Sequence, residues 1–107
     1  MHRLWHLRLL ACFVATSASA QTVPYPSQPI KLVVGFAAGG PSDLVARAFA
    51  DHAAKPLGQP LIVENKPGAN AVLATEAVAA SRPDGQTLLA AATNHTMIPA
   101  LYGARIK

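Results

Sequence analysis

Three short stretches hold the residues with chemistry to offer. The first is Gly35-Phe36-Ala37-Ala38-Gly39-Gly40-Pro41-Ser42-Asp43, where an apolar run ends in a glycine-rich turn that opens straight into a helix. The leading N–H groups of a helix have no partner within it and carry the positive end of its dipole, so such a turn attracts an anion. The second, Asn65-Lys66-Pro67-Gly68-Ala69-Asn70, is another anion-competent turn, and the third, Thr93-Asn94-His95-Thr96, offers hydroxyl, amide and imidazole groups. The first turn is not a nucleotide phosphate loop, because no Gly-Lys-Ser/Thr follows, and it lacks the Gly-x-Gly-x-x-Gly spacing of a dinucleotide site. Its glycines also suit a plain strand-to-helix turn that needs positive φ.

Asp43 has three readings. It can favour the helix dipole, bind a cation, or hold ordered water that presents hydrogens to a bound anion. Lys66 is expected to face solvent, and Asn70 to cap a helix, since its side chain can accept a backbone N–H. The sequence offers no metal-ligand cluster, no paired carboxylates and no Ser-His-Asp order that the spacing supports, so it is not read as an enzyme. A small hydrolase using His95 and Ser42 is the catalytic alternative.

The elements that must position these turns follow a repeated pattern. Gln21–Pro29 is an extended leader in which Pro24, Pro26 and Pro29 each lack a backbone donor. Ile30–Val34 is nearly all apolar, as suits a parallel strand covered on both faces. A helix follows from Pro41 to about Lys55, with Leu44, Val45, Ala48, Phe49 and Ala53 on its apolar face and Pro56 and Gly58 to stop it. Leu61–Val63 is a second strand, Glu64–Asn70 a turn, and an alanine-rich helix runs from about Asn70 to Ser81 before Pro83-Asp84-Gly85. Thr87–Ala92 is a third strand, Thr93–Thr96 a polar turn and Pro99–Tyr102 a short helix. Three strand–turn–helix units predict an α/β fold, a parallel sheet with right-handed crossovers. In such a sheet ligands bind beyond the carboxyl ends of the strands, so all three turns are expected along one edge. Gly40, Gly68 and Asn94 on opposite sides of the molecule would end that reading.

At 107 residues the chain makes one small domain at most. Met1–Arg8 carries Arg3 and Arg8, Leu9–Val14 is apolar, and Ala18-Ser19-Ala20 supplies small residues for cleavage, the pattern of a secretory signal over 1–20. The sole cysteine, Cys12, sits in a loose likeness of a lipoprotein cleavage box, and cleavage after Ala20 is preferred. The compartment read from this is outside the cytoplasmic membrane. Of nine Lys plus Arg, Arg3 and Arg8 leave with the signal, so seven face five Asp plus Glu and the net charge is +2. These are scattered, which argues against nucleic acid and suits small anionic ligands.

The residues also resemble a known family. Tyr25-Pro26-Ser27-Gln28-Pro29-Ile30-Lys31-Leu32-Val33-Val34, then Phe36, Gly39-Gly40-Pro41-Ser42-Asp43 and Val45-Ala46-Arg47, are similar to the start of the Bug (TctC-like) solute-binding receptors of tripartite tricarboxylate transporters. The likeness continues through Leu57-Gly58-Gln59-Pro60, Val63-Glu64-Asn65-Lys66-Pro67-Gly68-Ala69, Pro83-Asp84-Gly85-Gln86-Thr87-Leu88-Leu89 and Pro99-Ala100-Leu101-Tyr102. The resemblance implies a periplasmic receptor with a two-domain, type II periplasmic-binding-protein fold and an organic acid in the cleft, such as a di- or tricarboxylate. It implies the membrane components of a transporter as partners, and neither cofactor nor nucleic acid. By the same resemblance Phe36 and Ala38, through their carbonyls, and Asp43 hold water that bridges to a ligand carboxylate, flanked by Gly40 and Ser42. Gly68, Ala69, Asn70 and Ala71 contact the ligand, and Thr93, Asn94 and His95 line the cleft.

Four features depart from the family pattern, one of them Pro56, which is expected to shorten the first helix. Ala38 stands where Pro is usual, and Ala71-Val72-Leu73-Ala74 where Gly-Asn-Ile-Gly is frequent, with added methyl groups expected to narrow that contact. The chain ends at Lys107, about a third of the way along a typical member as the resemblance has it, so 21–107 is expected to be the first part of domain 1 with the second domain absent. The rival expectation is a non-binding remnant that acts, if at all, as an interaction module.

Overall fold

The computed structural model describes residues 22–103, so the expected signal at 1–20 and Cys12 lie outside the described residues. Strand β1 spans Ile30–Val34, helix α1 Pro41–Leu57, strand β2 Leu61–Asn65, helix α2 Val72–Ala79, strand β3 Thr87–Ala90 and helix α3 Ile98–Tyr102. Short 3₁₀ segments precede α2 at Ala69–Ala71 and α3 at Thr93–Met97. The sheet order is β2-β1-β3, both pairings are parallel, and the register sets Leu32 against Val63 and Leu88. The expected α/β fold is therefore present.

The continuous apolar run of β1 reflects its central place. Ile30, Leu32 and Val34 point to one side, where Ala46, Ala50 and Leu61 meet them, while Val33, only 1% exposed, points to the other. Burying an aliphatic side chain of this size contributes about 1.5–3 kcal/mol. Helix α1 packs on the Ile30, Leu32 and Val34 side of the sheet, while Ala74 of α2 lies beside Gly35 on the other, the arrangement that right-handed crossovers require in the order β2-β1-β3.

Helix α1 differs from expectation in two ways. Its buried residues are Asp43, Ala46 and Ala50, with Ala53 packed beside them, whereas Leu44, Val45 and Phe49 are exposed. A stripe of small residues lets the helix axis lie close to the sheet, and that selects the face more strongly than side-chain apolarity. Pro56 lies inside the helix rather than stopping it. A proline in the last turn forfeits only its own N–H bond, so termination falls to Gly58, which at φ 70 donates its N–H to the Lys55 carbonyl.

Because α1 covers β1 and β2, the same face of β3 stays open. An apolar groove of about 670 Å³ runs there, lined by Leu32, Ser42, Val45, Phe49, Leu88 and Ala90 among others. At the opposite end of the strands the leader is tied down, since the Tyr25 hydroxyl donates to the Gly85 carbonyl at 2.7 Å and its ring lies over Gly85.

Candidate functional site

The parallel sheet sends the carboxyl ends of β1, β2 and β3 to one edge, and each is followed by one of the three turns. The first turn is built around Asp43, which is 1% exposed. Its Oδ2 accepts the Gly39 N–H at 2.8 Å and Arg47 Nε at 2.9 Å, and its Oδ1 accepts Asn65 Nδ2 at 2.9 Å. Those bonds, led by the Arg47 side chain and then the Gly39 amide and Asn65, hold the carboxyl well below the usual carboxylate range. An ionised carboxylate has about four acceptor sites, and these bonds use three of them. Asn65 Nδ2 also donates to the Phe36 carbonyl at 3.1 Å, and Arg47 Nη2 donates to Asn65 Oδ1 at 3.3 Å.

The second turn takes a left-handed path without the glycines that would make it easy. Ala69, Asn70 and Ala71 have φ of 46, 54 and 71°, a conformation costing ordinary residues roughly 1–2 kcal/mol each. Two contacts hold it. A Cβ built on Gly35 would stand 2.3 Å from Ala71 Cβ, so the missing side chain of Gly35 is the seat of the Ala71 methyl. Asn94 Nδ2, from the third turn, donates to the Asn70 carbonyl at 2.7 Å and to Asn70 Oδ1 at 3.2 Å. Asn70 is thus not a helix cap: Gly68 and Ala71 stand at the two cap positions, neither helical start has a side-chain cap, and the Asn70 oxygen is engaged by Asn94. The Ala71 methyl faces inward against Gly35 and is buried, so it packs the turn to the sheet.

The third turn carries Thr93, Asn94 and His95. Thr93 and His95 are exposed, and His95 Nδ1 is 3.5 Å from Thr75 Oγ1 on α2. Asn94 Oδ1 is buried and has no protein partner.

The anticipated residues fall on these turns as follows. Phe36 is half-buried, its carbonyl partly used by Asn65, and Ala38 is exposed in the turn. Gly40 is the N-cap of α1 and donates to the Ala37 carbonyl at 3.3 Å, while Ser42 borders the apolar groove. Gly68, Ala69 and Asn70 are exposed and Ala71 buried. The turns holding Gly40, Gly68 and Asn94 meet through the Gly35–Ala71 approach and the Asn94–Asn70 bonds.

Sequence reasoning misses two polar residues, Asn65 and Arg47. Residue composition puts Asn65 in a turn, but β2 continues through it and pairs it with Val34, next to the first turn. The signal for it is the strand register, which brings residue 65 to the foot of Gly35-Phe36. Lys66 faces solvent as expected, and it pairs with Glu64 at 3.2 Å, as does Lys31 at 3.0 Å. Among the described residues no three His, Cys, Asp or Glu side chains gather as a metal centre would require.

Three comparisons bear on this site. The sequence model of the tripartite tricarboxylate transporter family receptor matches residues 45–105. A Cupriavidus necator protein encoded in the gbd 5′ region is 51% identical over 74 residues, which is 69% of this chain and 23% of that protein. Among solved structures, the periplasmic binding protein BugD superposes with a TM-score of 0.60 at 48% identity, covering 61% of this chain and 22% of that one. MatC of Rhodopseudomonas palustris with bound malate superposes with a TM-score of 0.59, also at 48% identity, over 61% of this chain and 22% of that one. The chain spans about a quarter of the length of the curated relatives it matches, 23% and 27% for the first two.

Proposed function

This chain belongs to the tripartite tricarboxylate transporter receptor family, and from that membership we propose that it forms one wall of a binding site for an organic carboxylate. The family is one of receptors, so binding rather than catalysis is the proposed role. Its neighbour BugD is a periplasmic binding protein, and no described helix is long and apolar enough to cross a membrane. The proposed compartment is the periplasm, and the proposed partners are a small organic acid, a di- or tricarboxylate or another carboxylated solute, and the membrane components of a transporter. Residues 21–107 are assigned to the opening part of the first of two domains.

The observation that carries this reading is the meeting of the three turns at one rim, tied by the Asn94–Asn70 bonds and the Gly35–Ala71 approach. Each turn then has a role. The Phe36 and Ala38 carbonyls and the last acceptor site of Asp43 each take one hydrogen of a water molecule, whose other hydrogen is left for a ligand carboxylate, with Gly40 and Ser42 at its flanks. Gly68, Ala69, Asn70 and Ala71 offer backbone groups on the second turn, and Thr93, Asn94 and His95 shape the remaining side. Malate bound to the MatC neighbour supports a carboxylate as the ligand class. The test is calorimetric titration of the chain with a panel of di- and tricarboxylates that includes malate. Heat with at least one acid is expected, and no heat with any, alongside a full-length relative that binds, overturns the reading.

A second reading, an interaction module that binds no acid, is favoured by the open apolar groove beside β3. Size-exclusion chromatography separates the two, because a monomer whose elution responds to malate opposes the module.

A further inference from the structure

A buried carboxylate at the rim repels any anion that approaches, unless something cancels its charge. Arg47, outside the anticipated site, does that for Asp43, and Asn65, also outside it, helps to hold the carboxylate in place. Arg47, one helical turn along α1, bonds Oδ2 through Nε at 2.9 Å and reaches Asn65 Oδ1 through Nη2 at 3.3 Å. Asn65, at the end of β2, bonds Oδ1 at 2.9 Å and the Phe36 carbonyl at 3.1 Å with the same amide nitrogen. The three side chains close a ring, Asp43 to Arg47 to Asn65 to Asp43, and the first turn hangs from it through the Gly39 N–H and the Phe36 carbonyl. Lys31 and Lys66 pair with Glu64 instead.

We propose that Arg47 and Asn65 are positioning residues: both fix the Asp43 carboxylate in one orientation, and Arg47 cancels its charge, so that the first turn can accept a negatively charged ligand group. The ligand arm of this inference rests on the carboxylate reading of the site; the structural arm does not. Arg47 suits the task because its side chain is half exposed, so it loses little hydration while serving a carboxylate that is 2% exposed. Its fork also reaches two partners at once, which a lysine ammonium on a flexible stem does less rigidly. Left uncancelled, Asp43 and a ligand carboxylate about 6 Å apart at an effective dielectric of about 40 repel enough to lower affinity about tenfold.

The experiment compares the whole chain with Arg47→Met, Arg47→Lys and the pair Asp43→Asn plus Arg47→Met. Malate affinity is read by calorimetry, and the exchange rate of the Gly39 amide by NMR. Arg47→Met is expected to weaken malate about tenfold and to speed Gly39 exchange by a similar factor. Arg47→Lys restores affinity to within about threefold, since the charge is kept. The double variant binds malate better than Arg47→Met alone, because the repelling charge is gone; a purely structural role for Arg47 predicts the reverse. Equal affinity in Arg47→Met and the unaltered chain, or a double variant weaker than the single one, overturns the proposal. If the unaltered chain binds neither malate nor any other acid of the panel, the carboxylate reading fails by itself, and the Gly39 amide still decides: exchange unchanged both in Arg47→Met and in a further variant, Asn65→Ala, refutes the clamp. If the double variant does not fold, the comparison of Arg47→Met with Arg47→Lys decides between the two roles.

Discussion

Replacing Gly35 by alanine probes the closest approach in the fold. The added Cβ would lie 2.3 Å from Ala71 Cβ, 2.9 Å from the Ala71 Cα and 3.3 Å from Ala74 Cβ. Ordinary contact between carbon atoms begins near 3.5 Å. One of the three atoms is backbone and another belongs to Ala74, which is fully buried, so no flexible side-chain end can swing aside. Overpacking of this kind costs about 1–3 kcal/mol. A chain of this size unfolds in urea with a slope near 1 kcal/mol/M, so the midpoint should fall by about 1–3 M in a far-UV circular dichroism titration. Ala71→Gly should by itself be nearly neutral, because losing a buried methyl costs about 0.8 kcal/mol while relieving φ 71 returns about as much. In that background Gly35→Ala should cost at least about 1 kcal/mol less, the signature of two groups in contact. A Gly35→Ala midpoint within about 0.3 M of the parent, or the same shift in both backgrounds, would refute the packing account.

Three further outcomes follow from other contacts. Asn94→Ala removes both bonds to Asn70 and should destabilise the fold by about 1 kcal/mol, with amide exchange faster in Ala69–Ala71 than at β1. Asp43 titrates lower in the folded chain than its ordinary value of 3.8, so its contribution to stability is complete above that value and drains away as pH falls through the folded pKa. Urea midpoints should therefore decline from about pH 4 downward, and Asp43→Asn should flatten that decline. Gly58→Ala puts a side chain at φ 70 on the end of α1 and should cost about 1 kcal/mol in thermal or urea unfolding.

Much of the fold was legible because composition and geometry agree there. Ile30–Val34 reads as a buried parallel strand and is one, at the centre of the sheet, because a strand covered on both faces has no reason to alternate. The meeting of the turns was legible for a topological reason, since parallel strands put their carboxyl ends together whatever their side chains. The buried face of α1 was not, because apolarity favoured Leu44, Val45 and Phe49 while close approach to the sheet favoured Asp43, Ala46 and Ala50. An aspartate can belong to a buried face only if partners arrive from elsewhere, and Asn65 arrives from 22 residues away. The left-handed path of Ala69–Ala71 was hidden for a related reason. Alanine carries no mark of positive φ, and the forces that impose it come from Gly35 and Asn94, both distant in sequence.

The Tyr25–Gly85 strap sits at the amino-terminal end of β3, whereas the three turns sit beyond the carboxyl ends of the strands. Tyr25 therefore fastens the leader at the floor of the molecule. A surface linker joined to the leader at that point would sit at the far end of the sheet from the rim.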